Sequence, residues 1–361
     1  MRTLFDSTKI NNIELNNRFI RSATWENKAD QKGHLTDELL KVYQELAKGQ
    51  VGLIITGYAF VIKDEQPNPG MMGIYDDSFI KDYKKLTDAV HQHGSKIVLQ
   101  IAYGGTQTNY RPENRVIWGP STVPEMATGV VAHEMTKDDI NTLVKAFGDA
   151  ASRAKSAGFD GVEFHGAHGY LLSQFLNPYH NQRTDEYGGD IENRARVIFE
   201  TYNEIRRRVG EDYAVMIKIN CRDFVEQELT FEESLYVCKE LSKRGIDAIE
   251  VSGGIAAAKE LGAQRKKINS TEKEAYFEEY AAEIAEQVDT KVILVGGIRS
   301  LDVMDRLLSE TKIDYFSMAR PFLSEPDLVK HFQEKSKTKA RCVSCGSCYT
   351  PEGNYCVTFS K

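Results

Sequence analysis

Apolar residues in this chain fall into short unbroken runs, each followed by a longer stretch in which apolar positions return with helical spacing. The runs predict strands at Arg18–Thr24, Val51–Gly57, Lys96–Ile101, Asp160–Phe164, Ala214–Ile219, Ala248–Val251, Val292–Val295 and Tyr315–Met318. The periodic stretches predict helices at Asp37–Lys48, Ser78–His93, Lys137–Ala157, Ile191–Val209, Phe231–Arg244, Glu272–Gln287, Leu301–Ser309 and Asp327–Phe332. The strands lack the in–out alternation of a half-exposed sheet, so both of their faces are expected to be covered. Gly49, Gly94, Gly158 and Gly245 each stand just ahead of a strand, where a glycine C-cap ends a helix.

Eight strand–helix units in 361 residues predict one closed (β/α)8 barrel over residues 1–334. An open doubly wound sheet would place Gly-x-Gly-x-x-Gly after its first strand, and no such loop follows residues 18–24. Met1–Asn17 alternates polar and apolar residues around Asn11-Asn12, which predicts a hairpin sealing the barrel bottom. Residues 102–135 form a long insert after the third strand, either a surface excursion or a functional loop. Residues 335–361 read as a basic linker (Lys335–Arg341) and a Cys-rich tail.

Composition narrows the class. The chain is 41% hydrophobic and 27% charged, as in ordinary globular proteins. A net charge of -7 argues against nucleic acid and anionic membrane as partners and leaves a small-molecule substrate. No apolar run is long enough to span a bilayer, and Met1–Ile10 lacks a signal peptide's apolar stretch. Cys221 and Cys238 are isolated while four cysteines crowd the last twenty residues, unlike a secreted disulfide framework; a cytoplasmic location is expected.

The chemistry concentrates at strand ends. Gly296-Gly297 ends the seventh strand, Ala319-Arg320 the eighth, and Gly253-Gly254 the sixth. Glycine lets backbone N–H groups approach an anion, and barrels place phosphate sites after strands seven and eight. A phosphorylated cofactor is therefore expected. His165, His168 and Tyr170 follow the fourth strand. Two histidines three apart admit a metal pair, with Glu163 the only carboxylate near in sequence, or plain loop hydrogen bonding. The reading preferred here has both histidines donate to a developing oxyanion while Tyr170 supplies a proton.

His-Gly-Ala-His-Gly-Tyr-Leu-Leu-Ser-Gln-Phe-Leu-Asn-Pro from His165, followed by Asn-Gln-Arg-Thr-Asp-Glu-Tyr-Gly-Gly and Glu-Asn-Arg, resembles the Old Yellow Enzyme family of FMN-dependent ene-reductases. The likeness runs from Asn17-Arg18 to Arg320-Pro321-Phe322. It implies FMN across the barrel top, with Ser22, Ala23 and Thr24 along the flavin, Gly57 at the end of strand two and Gln100 at the pyrimidine edge. Gly296, Gly297, Ala319 and Arg320 would hold the phosphate. NADH or NADPH would be the hydride donor. His165 and His168 would grip the carbonyl of an electron-poor alkene, and Tyr170 would protonate it; Asn193 and Arg194 would buttress the loop.

Three positions depart from the family pattern. Lys218 stands where many members carry an arginine near the flavin, and lysine lacks the planar fork. Trp25 replaces a redox-tuning threonine or cysteine and is expected to wall the substrate pocket. The third strand reads Gln100-Ile101-Ala102-Tyr103-Gly104-Gly105, without the histidine of some relatives.

The tail spacing is Cys342-x2-Cys345-x2-Cys348-x7-Cys356. It is similar to the four-cysteine [4Fe–4S] cluster of enoate and dienoyl-CoA reductase relatives, whose third gap is longer. Iron–sulfur, zinc and reduced thiols all stay open. Two rival functions stand beside alkene reduction: oxidation of amines on the same flavin, as in dehydrogenase and demethylase relatives, and a non-enzymatic flavin or thiol redox sensor. A tRNA-modifying role is disfavoured by the acidic charge. Homo-oligomerisation is left open.

Overall fold

The computed structural model describes residues 2–108, 110 and 116–359. Eight parallel strands form its centre: β1 (Phe19–Arg21), β2 (Leu53–Ile55), β3 (Lys96–Ala102), β4 (Gly161–Gly166), β5 (Ala214–Asn220), β6 (Ala248–Ser252), β7 (Lys291–Val295) and β8 (Tyr315–Met318). Each pairs with its neighbour, β8 returns to β1, and β3 joins β4, so the sheet closes into a (β/α)8 barrel. Side chains alternate across it. Phe19, Ile54, Leu99, Phe164, Val215, Ile249, Leu294 and Phe316 point outward into a core shared with the helices. Ile20, Leu53, Ile55, Val98, Met216, Ala248, Ile293 and Tyr315 point inward and fill the lower barrel.

The expected hairpin closes that lower end. Thr8–Ile10 pairs antiparallel with Ile13–Leu15, and Asn11 takes a positive φ of 49° at the turn. Ile10, Ile13 and Leu15 are buried in the barrel's inner cluster. Burying one such side chain stabilises by roughly 1.5–3 kcal/mol. Above this apolar plug the inward positions turn polar: Ser22, Gln100, Glu163, Lys218, Glu250, Ser252 and Ser317 are all buried. This change of chemistry along the barrel axis makes the upper end the reactive one.

The helices follow the periodicity with local differences. Gly94, Gly158 and Gly245 have φ of 79°, 86° and 84°, as C-cap glycines require. Gly49 does not; its φ is -76°, and Gln50 takes the left-handed turn instead. Position 49 needs glycine for space, since a Cβ there would lie 2.0 Å from the Pro326 carbonyl oxygen. The helix expected over Glu272–Gln287 begins only at Glu278. Ala275 has φ 53°, and the Glu274 carboxylate turns away to accept from the Arg299 and Ser300 backbone N–H groups at 2.9 Å each. A short helix, Leu171–Leu176, follows the histidine loop and has no counterpart in the predicted elements.

Part of the insert after β3, residues 109 and 111–115, lies outside the described residues. On either side, Trp118–Gly119 pairs in parallel with His133–Glu134. The segment expected to be a linker and tail folds back over the barrel mouth. Leu301 N donates to Thr338 O and Ala340 N to Arg299 O, both at 2.9 Å. Asn354 N then reaches Glu26 O at 2.8 Å. Among the described residues no helix is long and apolar enough to cross a membrane.

Candidate active site

One cavity of about 590 Å3 opens at the carboxyl ends of the strands. Ser22, Ala23, Thr24 and Trp25 enter it from the end of β1, Gln100 from β3, and His165, His168 and Tyr170 from β4 and its loop. Lys218 comes from β5, Gly296 and Gly297 from the end of β7, and Ala319 and Arg320 from the end of β8. Residues spread over almost 300 positions of sequence thus share one wall because parallel strands deliver all their carboxyl ends to one face.

Gly57 is the exception among the expected cofactor contacts and does not line the cavity. Its N–H donates to the Tyr43 hydroxyl at 2.9 Å, and a Cβ would stand 2.2 Å from Glu26 Oε2. That glycine makes room for the buried Arg21–Glu26 ion pair, 2.6 Å apart. The residue after it, Tyr58, reaches the cavity instead.

The histidine loop is held in an unusual backbone. His168 has φ 62° and Gly169 φ 79°, two left-handed residues in succession. For a non-glycine residue this costs on the order of 1 kcal/mol or more, and such strain concentrates at functional sites. The His168 N–H donates to Asn220 Oδ1 at 3.1 Å, and the Gly169 N–H to Ser173 Oγ at 3.2 Å. The turn brings the two imidazoles to a centroid distance of 5.2 Å and sets His165 4.6 Å from the Tyr170 ring. His168 Nε2 lies 2.7 Å from Ser252 Oγ, while buried His165 Nδ1 has no partner. Arg194 buttresses the loop from outside, bonding Gly189 O at 3.0 Å, Leu176 O and Glu233.

Electrostatics fix the protonation states. Burial, then the neighbouring His168 and Lys218, push His165 well below its usual value. Burial and Lys218 bring His168 down to about 3. Both rings are therefore neutral near pH 7, each with one N–H to donate. Burial raises the Tyr170 phenol to about 12, and a hydrogen bond from Tyr58 partly offsets it. The Tyr58 hydroxyl itself accepts from Asn68 Nδ2 at 2.6 Å.

The opposite end of the cavity suits an anion. Gly296 and Gly297 have φ of 133° and 71°, and a Cβ on either would strike the Tyr276 ring at 3.0 or 2.7 Å. Buried Arg320 Nη1 has no partner. Arg299, equally close in sequence, is committed elsewhere: it bonds Cys342 O at 2.6 Å, Ile268 O and Ser344 Oγ, and so pins the tail. A guanidinium nitrogen without a partner beside the glycine turn and an imidazole nitrogen without one at the other end fit a long cofactor with a phosphate tail and a polar ring system.

The tail completes the wall. Tyr349 stacks on Trp25 with centroids 6.2 Å apart and planes at 27°, and Cys348 and Tyr349 both line the cavity. Trp25 Nε1 donates to Pro69 O at 3.0 Å. Cys342, Cys348 and Cys356 are buried and Cys345 is exposed. Burial and the neighbouring thiols raise Cys348 to about 11. Iron–sulfur, zinc and reduced thiols stood open for Cys342, Cys345, Cys348 and Cys356, and the side-chain arrangement does not show a metal centre there. Among the described residues no group of three or more His, Cys, Asp or Glu side chains is arranged to hold a metal ion, which also leaves the His165–His168 metal reading without support.

Tyr58, Asn68, Ser252, Tyr276 and Tyr349 also line the cavity, and sequence reasoning did not single them out. Tyr58 and Ser252 had a usable signal, since each stands at a strand end beside a glycine already marked.

Residues 3–339 match the NADH:flavin oxidoreductase / NADH oxidase family. A NADH oxidase of Thermoanaerobacter brockii is 33% identical over 345 residues, covering 95% of this chain and 52% of that protein. A cinnamate reductase of Clostridium sporogenes is 31% identical over 369 residues, covering 95% and 55%. The solved 2-naphthoyl-CoA reductase in complex with 2-naphthoyl-CoA superposes with a TM-score of 0.86 at 26% identity, over 96% of this chain and 54% of that one. The chain spans about half the length of these relatives.

Proposed function

The chain belongs to the NADH:flavin oxidoreductase / NADH oxidase family, the Old Yellow Enzyme family, and from this we propose that it reduces electron-poor alkenes conjugated to a carbonyl, using FMN and NAD(P)H. The observation that carries the proposal is the pairing, in one cavity, of two neutral histidines and a buried tyrosine with an unsatisfied arginine at the far end. When bound, FMN supplies hydride transfer from NAD(P)H to the alkene.

Arg320 and the Gly296–Gly297 backbone would hold the phosphate, and Ser22, Ala23, Thr24, Gln100 and Lys218 the ring system. His165 and His168 would donate N–H bonds to the substrate carbonyl oxygen and stabilise the negative charge that grows there. Neutral donors suit this task, since a charged imidazolium would cost more to keep at so buried a position as that of His165. Tyr170 would deliver its proton to the α-carbon. Tyr58, donating to the Tyr170 oxygen, would stabilise the phenolate left behind.

Amine oxidation is the weaker reading. The described cavity lining includes Lys218, Lys259, Arg299 and Arg320 but no carboxylate to pair with a cationic amine. The deciding experiment mixes FMN-loaded protein anaerobically with NADH or NADPH, then with an enal, enone or cinnamate-type acid. Bleaching by the nucleotide and return of yellow colour with each alkene is expected. Bleaching by an amine without nucleotide, with no recolouring by any alkene, would overturn the proposal.

A further inference from the structure

The upper barrel interior encloses three ionisable side chains at the cavity floor, Lys218 of β5 lining it and Glu163 of β4 and Glu250 of β6 outside the lining, at 3%, 0% and 0% exposure. Lys218 Nζ lies 2.9 Å from Glu250 Oε2 and donates to Ser22 Oγ at 3.0 Å. Ser22 Oγ donates in turn to Glu250 Oε1 at 2.8 Å. Gln100 Nε2 donates to Glu163 Oε1 at 2.6 Å. Glu163 Oε2 is buried without a donor, and Glu250 Oε2, despite its ion pair, receives no well-directed hydrogen bond.

With both carboxyls ionised, two negative charges would face one lysine in a closed space. An uncompensated buried carboxylate costs several kcal/mol, and two carboxylates sharing a site resolve the conflict by keeping one proton. A proton on Glu163 Oε2, donated to Glu250, neutralises the cluster and uses both idle oxygens. The shifts run the same way. Burial and the adjacent Glu250 hold Glu163 well above the usual carboxylate range. Burial also acts to raise Glu250, but the charge of Lys218 beside it outweighs burial and brings Glu250 below that range.

We propose that Glu163 is a neutral carboxylic acid hydrogen-bonded to an ionised Glu250, and that the pair positions Lys218 by presenting it with a single counter-charge. This gives the lysine at this place a physical reason. A compact ammonium fits between Ser22 Oγ and Glu250, where a planar fork would need further acceptors. Glu250 then sets the net charge under whatever fills the cavity, and Glu163 sets only geometry.

The test compares Glu163→Gln and Glu250→Gln in the FMN-loaded protein. Infrared spectra of protein labelled with 13C-glutamate are expected to show carboxylic-acid carbonyl absorption at neutral pH, one component of which disappears in Glu163→Gln. The flavin midpoint potential is expected to stay unchanged in Glu163→Gln and to shift upward in Glu250→Gln, because only the second removes a negative charge near the ring. An unchanged infrared spectrum in Glu163→Gln overturns the proposal, as does an upward shift in that variant. If Glu250→Gln fails to fold, Glu163→Gln against the parent decides the matter alone. The potential arm rests on the flavin reading above and the infrared arm does not, so failure to bind flavin is told apart from failure of the proton assignment.

Discussion

Tyr58 stands edge-on to Tyr170, with ring centroids 5.2 Å apart and planes at 61°. Its hydroxyl bridges Asn68 and the Tyr170 oxygen, so one end of strand β2 supports the group proposed to donate the proton from the loop after β4. The support acts on the phenolate, because the bond lowers the Tyr170 pKa that burial raises to about 12. Tyr58→Phe should therefore make Tyr170 a weaker acid. Recolouring of reduced flavin by alkene is expected to slow by roughly 10–150-fold, the size of one lost hydrogen bond to a charged group. Reduction by NAD(P)H should hold its rate. Equal slowing of both steps in rapid mixing would sink the assignment.

Tyr170→Phe removes the donor itself. General acid groups contribute about 10²–10⁴-fold. Alkene reduction is expected to fall by at least about 10²-fold, with flavin reduction nearly intact. Solvent deuterium should slow the parent's alkene step and leave the residual rate of the variant less affected. A variant that turns over alkene at the parent rate refutes the donor role.

The depressed histidines make stability depend on acid. His168 falls from an ordinary 6.5 to about 3 in the folded chain. Between those values the unfolded chain binds the proton and the folded chain does not, so stability is full above about pH 6.5 and is lost as pH falls toward about 3. His168 is only partly buried in the cavity wall, so the contribution is discounted to the order of 2–4 kcal/mol. His168→Asn should lose less stability across this window than the parent, as read by urea unfolding at stepped pH. Parallel curves for the two proteins would show that His168 is not held neutral.

Arg320 has a guanidinium nitrogen buried without a partner beside the glycine turn. A charge-assisted hydrogen bond contributes about 1.5–3 kcal/mol, or roughly 10–150-fold in affinity. Arg320→Ala should weaken FMN binding by that amount and riboflavin binding much less, since riboflavin lacks the phosphate. Titration into stripped protein by fluorescence quenching measures both. Equal weakening for the two ligands would move the phosphate elsewhere.

The barrel was legible because its cause is local. A strand covered on both faces must be an apolar run, and the helix after it must carry a stripe, so both patterns are written in consecutive residues. The strand ends were legible for the same reason, and Ser22, Gln100, His165, Lys218, Gly296 and Arg320 all line the cavity. What stayed hidden depends on contacts between distant segments. Gly57 looks like the other strand-end glycines until the Glu26 carboxylate appears against it. Glu163 and Glu250 sit two strands apart, and neither is unusual alone. The tail was the largest omission, for spacing suggested only what four cysteines can ligate and said nothing of where Tyr349 would stack.

That stacking carries the last prediction. Tyr349 lines the cavity and lies against Trp25, while its hydroxyl bonds Gln264. The aromatic pair thus bounds the cavity beside the end of β1, and the tail is anchored independently by Arg299 on Cys342 O and by Asn354 Nδ2 on Trp25 O at 2.6 Å. Removing the Tyr349 ring should enlarge the cavity without releasing the tail. Tyr349→Ala is therefore expected to improve kcat/KM for bulky aryl-substituted alkenes relative to small enals by about 1–3 kcal/mol, or roughly 5–150-fold in the ratio. Tyr349→Phe, which keeps the ring and loses only the bond to Gln264, should leave the ratio close to the parent's. Competition assays with paired large and small alkenes read the ratio directly. A ratio unchanged in Tyr349→Ala would mean that substrate does not reach the Trp25–Tyr349 wall.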